Sequence, residues 1–214
     1  MLRVCEIFKS IQGESSYAGT PCSFVRLTGC NLRCAYCDTT YAYEEGEFTT
    51  VEAVLHRVSS LGCRLVEVTG GEPLIQEETP GLVAALLDAG HEVLLETNGS
   101  MDISLVDPRC VRIVDLKCPA SGAASSVDFE NLHRLHRHDE LKFVLADRGD
   151  YLFAKEMVRR LRCDLGLENT ILFSPVHRVL EPRTLVRWIL NDALDVRLNV
   201  QLQKYIWGPQ ERGV

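Results

Sequence analysis

No stretch of this chain is apolar over the roughly 20 residues that a membrane-spanning helix needs. The first ten residues also lack the apolar core of a signal peptide, because Glu6 and Lys9 fall where that core would be. There is no basic excess either: 23 Lys and Arg against 30 Asp and Glu leave a net charge of -7. That balance argues against nonspecific nucleic-acid binding, which needs a basic footprint. No internal repeat and no low-complexity linker interrupts the 214 residues, so a single domain over 1–214 is expected. These absences imply a cytoplasmic, reducing setting with no membrane and no nucleic-acid partner. In that setting nine cysteines read as thiols or metal ligands, not as a disulfide framework.

What is present is a regular alternation of strand and helix. Ser23–Thr28 alternates apolar and polar residues and predicts a strand. Asn31–Phe48 reads as a loop. Thr49 and Glu52 form a capping-box pattern before a helix reaching about Leu61. Leu65–Thr69 predicts a strand, and Thr79-Pro80 the start of a helix that runs to Gly90. Further strands are expected over Glu92–Glu96, Val111–Asp115, Glu140–Leu145, Thr170–Phe173 and Arg197–Gln201. Helices are expected over Asp150–Leu161 and Pro182–Asn191. Such alternation implies an α/β fold with a mainly parallel sheet. Right-handed crossovers then bring the strands' C-terminal ends to one rim, which in a barrel, or part of one, holds the active site.

The unusual residues fall on that rim. Cys30-Asn-Leu-Arg-Cys34-Ala-Tyr-Cys37, Gly70-Gly71-Glu72-Pro73, Thr97-Asn98-Gly99, Asp115-Leu116-Lys117 and Ser174-Pro175-Val176-His177 each lie at or just after a strand end. Any one of them alone is best read as an ordinary βα turn; their joint placement favours a shared mouth. Three thiols within eight residues are soft ligands suited to zinc or an iron–sulfur cluster. Structural zinc takes four protein ligands, and neither Asp38 nor Cys22 supplies zinc-finger spacing. A four-iron cluster held by only three cysteines keeps one iron open, the mark of a catalytic centre. Cys5, Cys22, Cys63, Cys110 and Cys163 are expected to be small buried hydrophobes; Cys118, on the rim, reads either way.

With its Gly-Gly-Glu-Pro segment, the Cys-x3-Cys-x2-Cys loop resembles the radical S-adenosylmethionine (SAM) superfamily. Three longer segments narrow the match: Phe8-Lys-Ser-Ile-Gln-Gly-Glu14, Phe24-Val-Arg-Leu-Thr-Gly-Cys-Asn-Leu-Arg-Cys34 and Cys37-Asp38-Thr39. Together with Gln203-Lys-Tyr-Ile-Trp-Gly-Pro209 they are similar to the 7-carboxy-7-deazaguanine synthase family, over nearly the whole chain. The resemblance implies a partial, incomplete TIM-like β/α barrel, trimmed of some helices and paired as a homodimer. It implies a radical SAM lyase acting in queuosine and 7-deazapurine biosynthesis. Its reaction would turn 6-carboxy-5,6,7,8-tetrahydropterin into 7-carboxy-7-deazaguanine with loss of ammonia. A 4Fe-4S cluster, SAM, Mg2+ and an electron donor such as flavodoxin or ferredoxin would be required.

Site residues follow from the same resemblance. Cys30, Cys34 and Cys37 would ligate three irons and leave the fourth to the amine and carboxylate of SAM. Tyr36, Cys37, Asp38, Gly71, Glu72, Asp115, Leu116, Lys117, Ser174, Pro175, Val176 and His177 would contact SAM, with Glu72 accepting from its amine. Ile11, Gln12, Gly13, Glu14, Arg26 and Thr69 would bind the substrate. Arg26 suits a carboxylate through its planar fork, and Glu14 suits the guanidine-like edge of a pterin. Thr39 would be the magnesium ligand, a hydroxyl being acceptable to a hard ion that keeps its waters. Without the resemblance, Arg26 reads as a surface-paired strand residue and Thr39 as a turn cap. One departure stands out: the expected Gln-x-His-Lys reads Gln201-Leu-Gln203-Lys204 here. Glutamine keeps a hydrogen bond but cannot titrate near neutral pH. Two other readings share part of the pattern, a glycyl-radical-enzyme activase and a non-catalytic iron–sulfur or zinc module.

Overall fold

The computed structural model describes residues 1–209 and 211–214. In chain order the elements are β1 (Leu2–Ile11), β2 (Pro21–Leu27), β3 (Glu47–Thr49), α1 (Val51–Leu61), β4 (Leu65–Gly70), α2 (Thr79–Asp88), β5 (Glu92–Thr97) and β6 (Val111–Asp115). They continue with β7 (Glu140–Leu145), α3 (Arg148–Arg159), β8 (Thr170–Pro175), α4 (Pro182–Asn191), β9 (Arg197–Leu198) and α5 (Leu202–Ile206). The strands form one open sheet in the order β3-β1-β2-β4-β5-β6-β7-β8-β9. From β2 onward every pairing is parallel, whereas β1 runs antiparallel to both β2 and β3. This is the partial, mainly parallel barrel expected. Among the described residues no helix is long and apolar enough to cross a membrane.

Strand periodicity sorts the side chains onto two unlike faces. Val25, Val66, Val68, Leu95, Leu141 and Phe143 point toward the helices and belong to the large apolar core. α1 contributes Val54 and Val58, both fully buried, each worth about 1.5–3 kcal/mol of hydrophobic stabilisation. The opposite, concave face begins with a smaller apolar cluster of Cys22, Phe24, Leu65, Leu94, Val111 and Ile113. Two residues further along the same strands come Arg26, Glu67, Glu96 and Asp115; with Thr69 of β4 and Lys142 of β7 they line a cavity. The sheet thus closes its bottom with apolar side chains and opens at its strand ends onto charge.

Several expected boundaries move. The whole of β1 goes beyond the reading of the sequence, its outer residues being only half-buried. Thr49 belongs to β3, where it pairs with Leu2. The helix cap is therefore Thr50, whose side chain accepts from the Ala53 amide at 3.2 Å, and Gly62 ends the helix in the left-handed region. Thr79 lies inside α2 rather than capping it; its hydroxyl donates to the Pro73 carbonyl at 2.6 Å. α2 ends at Asp88, short of Gly90. α3 starts and ends two residues before the expected bounds and passes into one π-helical turn, Arg160–Asp164. The last strand shrinks to Arg197–Leu198. Crossovers β5–β6 and β6–β7 carry short 3-10 turns in place of α-helices. There the buried Arg112–Asp139 ion pair, with Arg112 also donating to the carbonyls of Ile103 and Arg134, occupies the space behind β6.

Candidate active site

The strand ends enclose a cavity of about 550 Å³. Four of the five rim segments contribute Cys30, Cys34 and Cys37, Gly70 and Gly71, Thr97 and Asn98, and Asp115 and Lys117; the fifth, Ser174 to His177, lines it entirely. Ile11, Gln12, Gly13, Glu14, Arg26, Tyr36, Asp38, Thr39 and Thr69 line it as well. Two expected residues stand outside the lining. Leu116 is 3% exposed and packed in the helix-side core, because it points away from the mouth when its neighbours Asp115 and Lys117 point in. Glu72 is fully buried. Its carboxylate accepts from Thr97 Oγ1 (2.8 Å), the Leu74 amide (3.0 Å) and the Asn98 amide (2.6 Å). Oε1 accepts twice and Oε2 once, so the carboxylate ties the β4 and β5 loops together from behind the cavity wall. Burial pushes the Glu72 carboxyl up, against those three hydrogen bonds.

The cysteine loop is held from several sides. Tyr36 Oη donates to the Val144 carbonyl of β7 at 3.1 Å. Asn98 Nδ2 donates to Asn31 Oδ1 at 3.0 Å, and the Ala35 amide to the Ser121 carbonyl at 3.0 Å. Gly71 has no side chain because none fits: a Cβ there would overlap the Gly29 carbonyl and come within 2.6 Å of Cys30 Cβ. The glycine thus serves the docking of the cysteine loop onto β4 as well as opening the cavity. Burial raises the thiols of Cys30 and Cys34. All nine cysteines are free thiols. Cys22, Cys63, Cys110 and Cys118 are buried, whereas Cys163 is exposed and Cys5 only half-buried, contrary to expectation for those two.

A charge network that was not legible in the sequence lies opposite the thiols. Lys142 of β7 donates to Glu14 Oε2 at 2.8 Å and also to Glu96 Oε1. Burial alone would raise the Glu14 carboxyl, but the Lys142 ammonium overrides it and holds Glu14 below the ordinary carboxylate range. Glu96 is raised by burial, which Lys142 only partly offsets. Glu14 receives further hydrogen bonds from Gln201 (3.0 Å) and Gln203 (3.2 Å). Gln201 also donates to Asp38 Oδ2 at 3.2 Å, and Lys204 pairs with the same carboxylate. The C-terminal segment therefore bridges the Gln-Gly-Glu loop and the Cys-Asp-Thr loop. Arg26 Nε pairs with Glu6 at 2.7 Å, and Tyr41 donates to the same Glu6 oxygen. The Thr39 hydroxyl caps no turn; it donates to Asp38 Oδ1 at 3.0 Å.

Comparison with known proteins agrees with this geometry. The profile of the Radical SAM superfamily matches residues 24–116, which span the cysteine loop, β4 and β5 and end within the Asp115-Leu-Lys117 segment. The 7-carboxy-7-deazaguanine synthase of Chlorobaculum tepidum is 48% identical over 216 residues, covering all of this chain and 97% of the relative. That of Koribacter versatilis is 45% identical over 230 residues and covers both chains completely. The chain belongs to the 7-carboxy-7-deazaguanine synthase family. The crystal structure of QueE from Escherichia coli shares the fold, with a TM-score of 0.78 at 24% identity over 94% of each chain. SuiB of Streptococcus suis is more distant, with a TM-score of 0.59 over 84% of this chain and 50% of the other.

As a radical SAM protein of the 7-carboxy-7-deazaguanine synthase family, the chain takes a 4Fe-4S cluster and SAM as cofactors. The residues present fit both. Three soft thiol donors on one loop line the cavity. On the neighbouring β6, Asp115 Oδ1 is buried without a partner among the described residues, while Oδ2 holds Lys117 at 2.6 Å. That enclosed carboxylate oxygen is an unmet acceptor just behind the cavity wall, which a small side-chain shift on ligand binding would satisfy.

Proposed function

We infer that this chain converts 6-carboxy-5,6,7,8-tetrahydropterin to 7-carboxy-7-deazaguanine with loss of ammonia, in queuosine and 7-deazapurine biosynthesis. The observation that carries the reading is a single cavity, in a chain of this family, lined both by three thiols and by the Gln12–Glu14, Arg26 and Thr69 set. When bound, the cluster and SAM supply the one-electron chemistry that removes a hydrogen from the substrate. Cys30, Cys34 and Cys37 would hold the cluster. Tyr36, Asp38, Gly71, Asp115, Lys117 and Ser174–His177 would hold SAM. Leu116 and Glu72 would act on that site from behind, through backbone and loop position.

The protein's own part is to bind and orient. Arg26 would receive the substrate carboxylate: Glu6 occupies its Nε, and the outer guanidinium nitrogens, without a partner among the described residues, remain for a planar acceptor. Glu14, kept ionised by Lys142, would accept from the guanidine-like edge of the pterin. Gln203 donates to Glu14 in the position where the family pattern suggests histidine, so it would orient that carboxylate without exchanging a proton. Thr39, with substrate oxygens and water, would hold Mg2+. We also propose that residues 1–214 act as one domain, that two copies pair, and that an external carrier such as flavodoxin or ferredoxin delivers the electron. Nine free thiols suit a reducing cytoplasm.

The test is anaerobic reconstitution with iron and sulfide, then product analysis with SAM, dithionite and the carboxy-tetrahydropterin. The expected result is ammonia and a deazapurine chromophore in equal amounts. Cleavage of SAM without either product would overturn the substrate assignment; stoichiometric zinc without labile sulfide would overturn the cofactor assignment.

A further inference from the structure

Five acidic side chains line the cavity: Glu14, Asp38, Glu67, Glu96 and Asp115. Four have an ammonium against them. Lys142 serves Glu14 and Glu96, Lys204 serves Asp38, and Lys117 serves Asp115. Glu67 has none among the described residues. It sits in the middle of β4 and is 4% exposed. Its strand neighbours in register are Phe24 and Leu94, both buried and apolar. Its hydrogen bond is with the amide of Gln12 at Oε2. That amide is oriented from the other side, because Gln12 Oε1 accepts the Glu14 backbone N–H at 3.1 Å. Glu67 Oε1 has no protein partner among the described residues, yet it is absent from the fully enclosed unpartnered atoms, so it is open to the cavity.

A lone ionised carboxylate would be costly in such surroundings. Burial, followed by the charge of Glu96, pushes the Glu67 carboxyl up to about 8. The charged and titratable groups facing it are Glu14 from the first loop, Arg26 and Cys22 from β2, Glu96 from β5 and Lys142 from β7. Arg26 gives its Nε to Glu6, and Lys142 is held between its two carboxylates.

We propose that Glu67 is a substrate-positioning residue that acts as a neutral carboxylic acid, donating a hydrogen bond from its free oxygen to an acceptor atom of the pterin ring. This rests on the pterin reading above. The ionised Glu14 can only accept, so it matches N–H groups of the ligand. A ring carbonyl or unprotonated ring nitrogen needs a donor, and a protonated Glu67 supplies one at the cavity floor. Ionisation of Glu67 removes the donor and adds a charge facing the ligand, so only the protonated form is competent to bind.

The experiment is equilibrium binding of the carboxy-tetrahydropterin, under anaerobic conditions, to the wild type, Glu67→Gln and Glu67→Ala between pH 6 and 9.5. A competent fraction that falls with deprotonation weakens wild-type binding roughly twofold near pH 8 and about tenfold per further pH unit. Glu67→Gln replaces O–H by N–H, so it is expected to bind within about threefold of wild type at pH 7 and to lose this alkaline decline. Glu67→Ala is expected to bind roughly five- to tenfold more weakly than wild type at pH 7 and to show no alkaline decline. An alkaline decline that persists unchanged in Glu67→Gln overturns the proposal, as does wild-type affinity at pH 7 in a folded Glu67→Ala. If Glu67→Ala does not fold, the comparison of wild type with Glu67→Gln decides alone. A wild-type protein that binds no pterin at any pH overturns the pterin reading and this inference together.

Discussion

The two faces of one sheet obey opposite rules. On β5, Val93 and Leu95 face the helices, whereas Leu94 and Glu96 face the concave side. The helix side is apolar along the whole strand, and the buried charge behind β6 is satisfied in full: Arg112 gives Asp139 a two-point ion pair. The concave side is apolar only at its bottom. At the mouth it gathers Glu14, Glu67, Glu96, Asp115, Lys117 and Lys142 in one partly buried space. Charges packed this closely stabilise little, since desolvation offsets much of their attraction. One face therefore holds the fold together, and the other keeps polar groups poised for a ligand.

This contrast can be broken at a single side chain. In Cys34→Ala the visible absorbance of the cluster and all measurable turnover are expected to vanish, a loss of more than about a thousandfold. Thermal unfolding of the cluster-free protein should stay unchanged, because the thiol lines the cavity instead of the core. A variant that keeps an active cluster would sink the ligand assignment.

The next largest effect lies where the concave face carries stability of its own. Lys142→Met leaves Glu14 and Glu96 without their cation and should cost about 3–5 kcal/mol at pH 7, as breaking a buried ion pair does. The loss should shrink in acid. Glu14 has its folded pKa depressed, mainly by Lys142 overcoming burial. Its contribution is therefore present above the unfolded carboxylate range and disappears as pH falls through the folded value. Denaturant titration at pH 7 and pH 4 checks both statements, and an equal loss at the two pH values would contradict the pairing.

Leu95→Ala tests the other face. A fully buried leucine should cost about 2–5 kcal/mol of stability, with pterin affinity unchanged. Altered affinity at full occupancy of the folded state would show that the two faces are not independent. The smallest effect belongs to Glu67→Gln. The folded-state carboxyl stands at about 8 against an ordinary 4.5, so the folded protein holds a proton that the unfolded chain releases. Stability then declines between those two pH values as pH rises. Glu67→Gln should remove that slope and gain about 1 kcal/mol or more near pH 8, with no gain at pH 4. Melting curves that stay parallel at every pH would refute it.

Much of this division was legible beforehand. Strand alternation located β4 to β8 to within two residues, and the placement of Gly-rich and polar segments after those strands anticipated one mouth. Motif resemblance named the thiols and most of the lining. The misses have physical causes. β1 is half-buried on both faces and so shows weak periodicity. Glu140-Leu-Lys-Phe-Val-Leu145 alternates as a solvent-facing strand would, yet Lys142 is buried between two carboxylates from distant parts of the chain. Glu72, placed at the ligand by its motif, lies buried behind the cavity lining, where it accepts from two backbone amides and Thr97. Nothing local distinguishes Glu67 from a surface glutamate, since its neutrality depends on Phe24, Leu94 and Glu96 arriving from other strands.

By itself the sequence determined the alternation of β4 to β8 with their helices, the period-two patterning along those strands, and the three-thiol loop. These follow from nearest-neighbour geometry: a period of two along a strand, caps at helix ends, ligands a few residues apart. Only the tertiary structure decided which carboxyls are charged, which are occupied and which stay open to a ligand. That choice depends on distances between residues far apart in the chain and on how completely the folded sheet removes water from them.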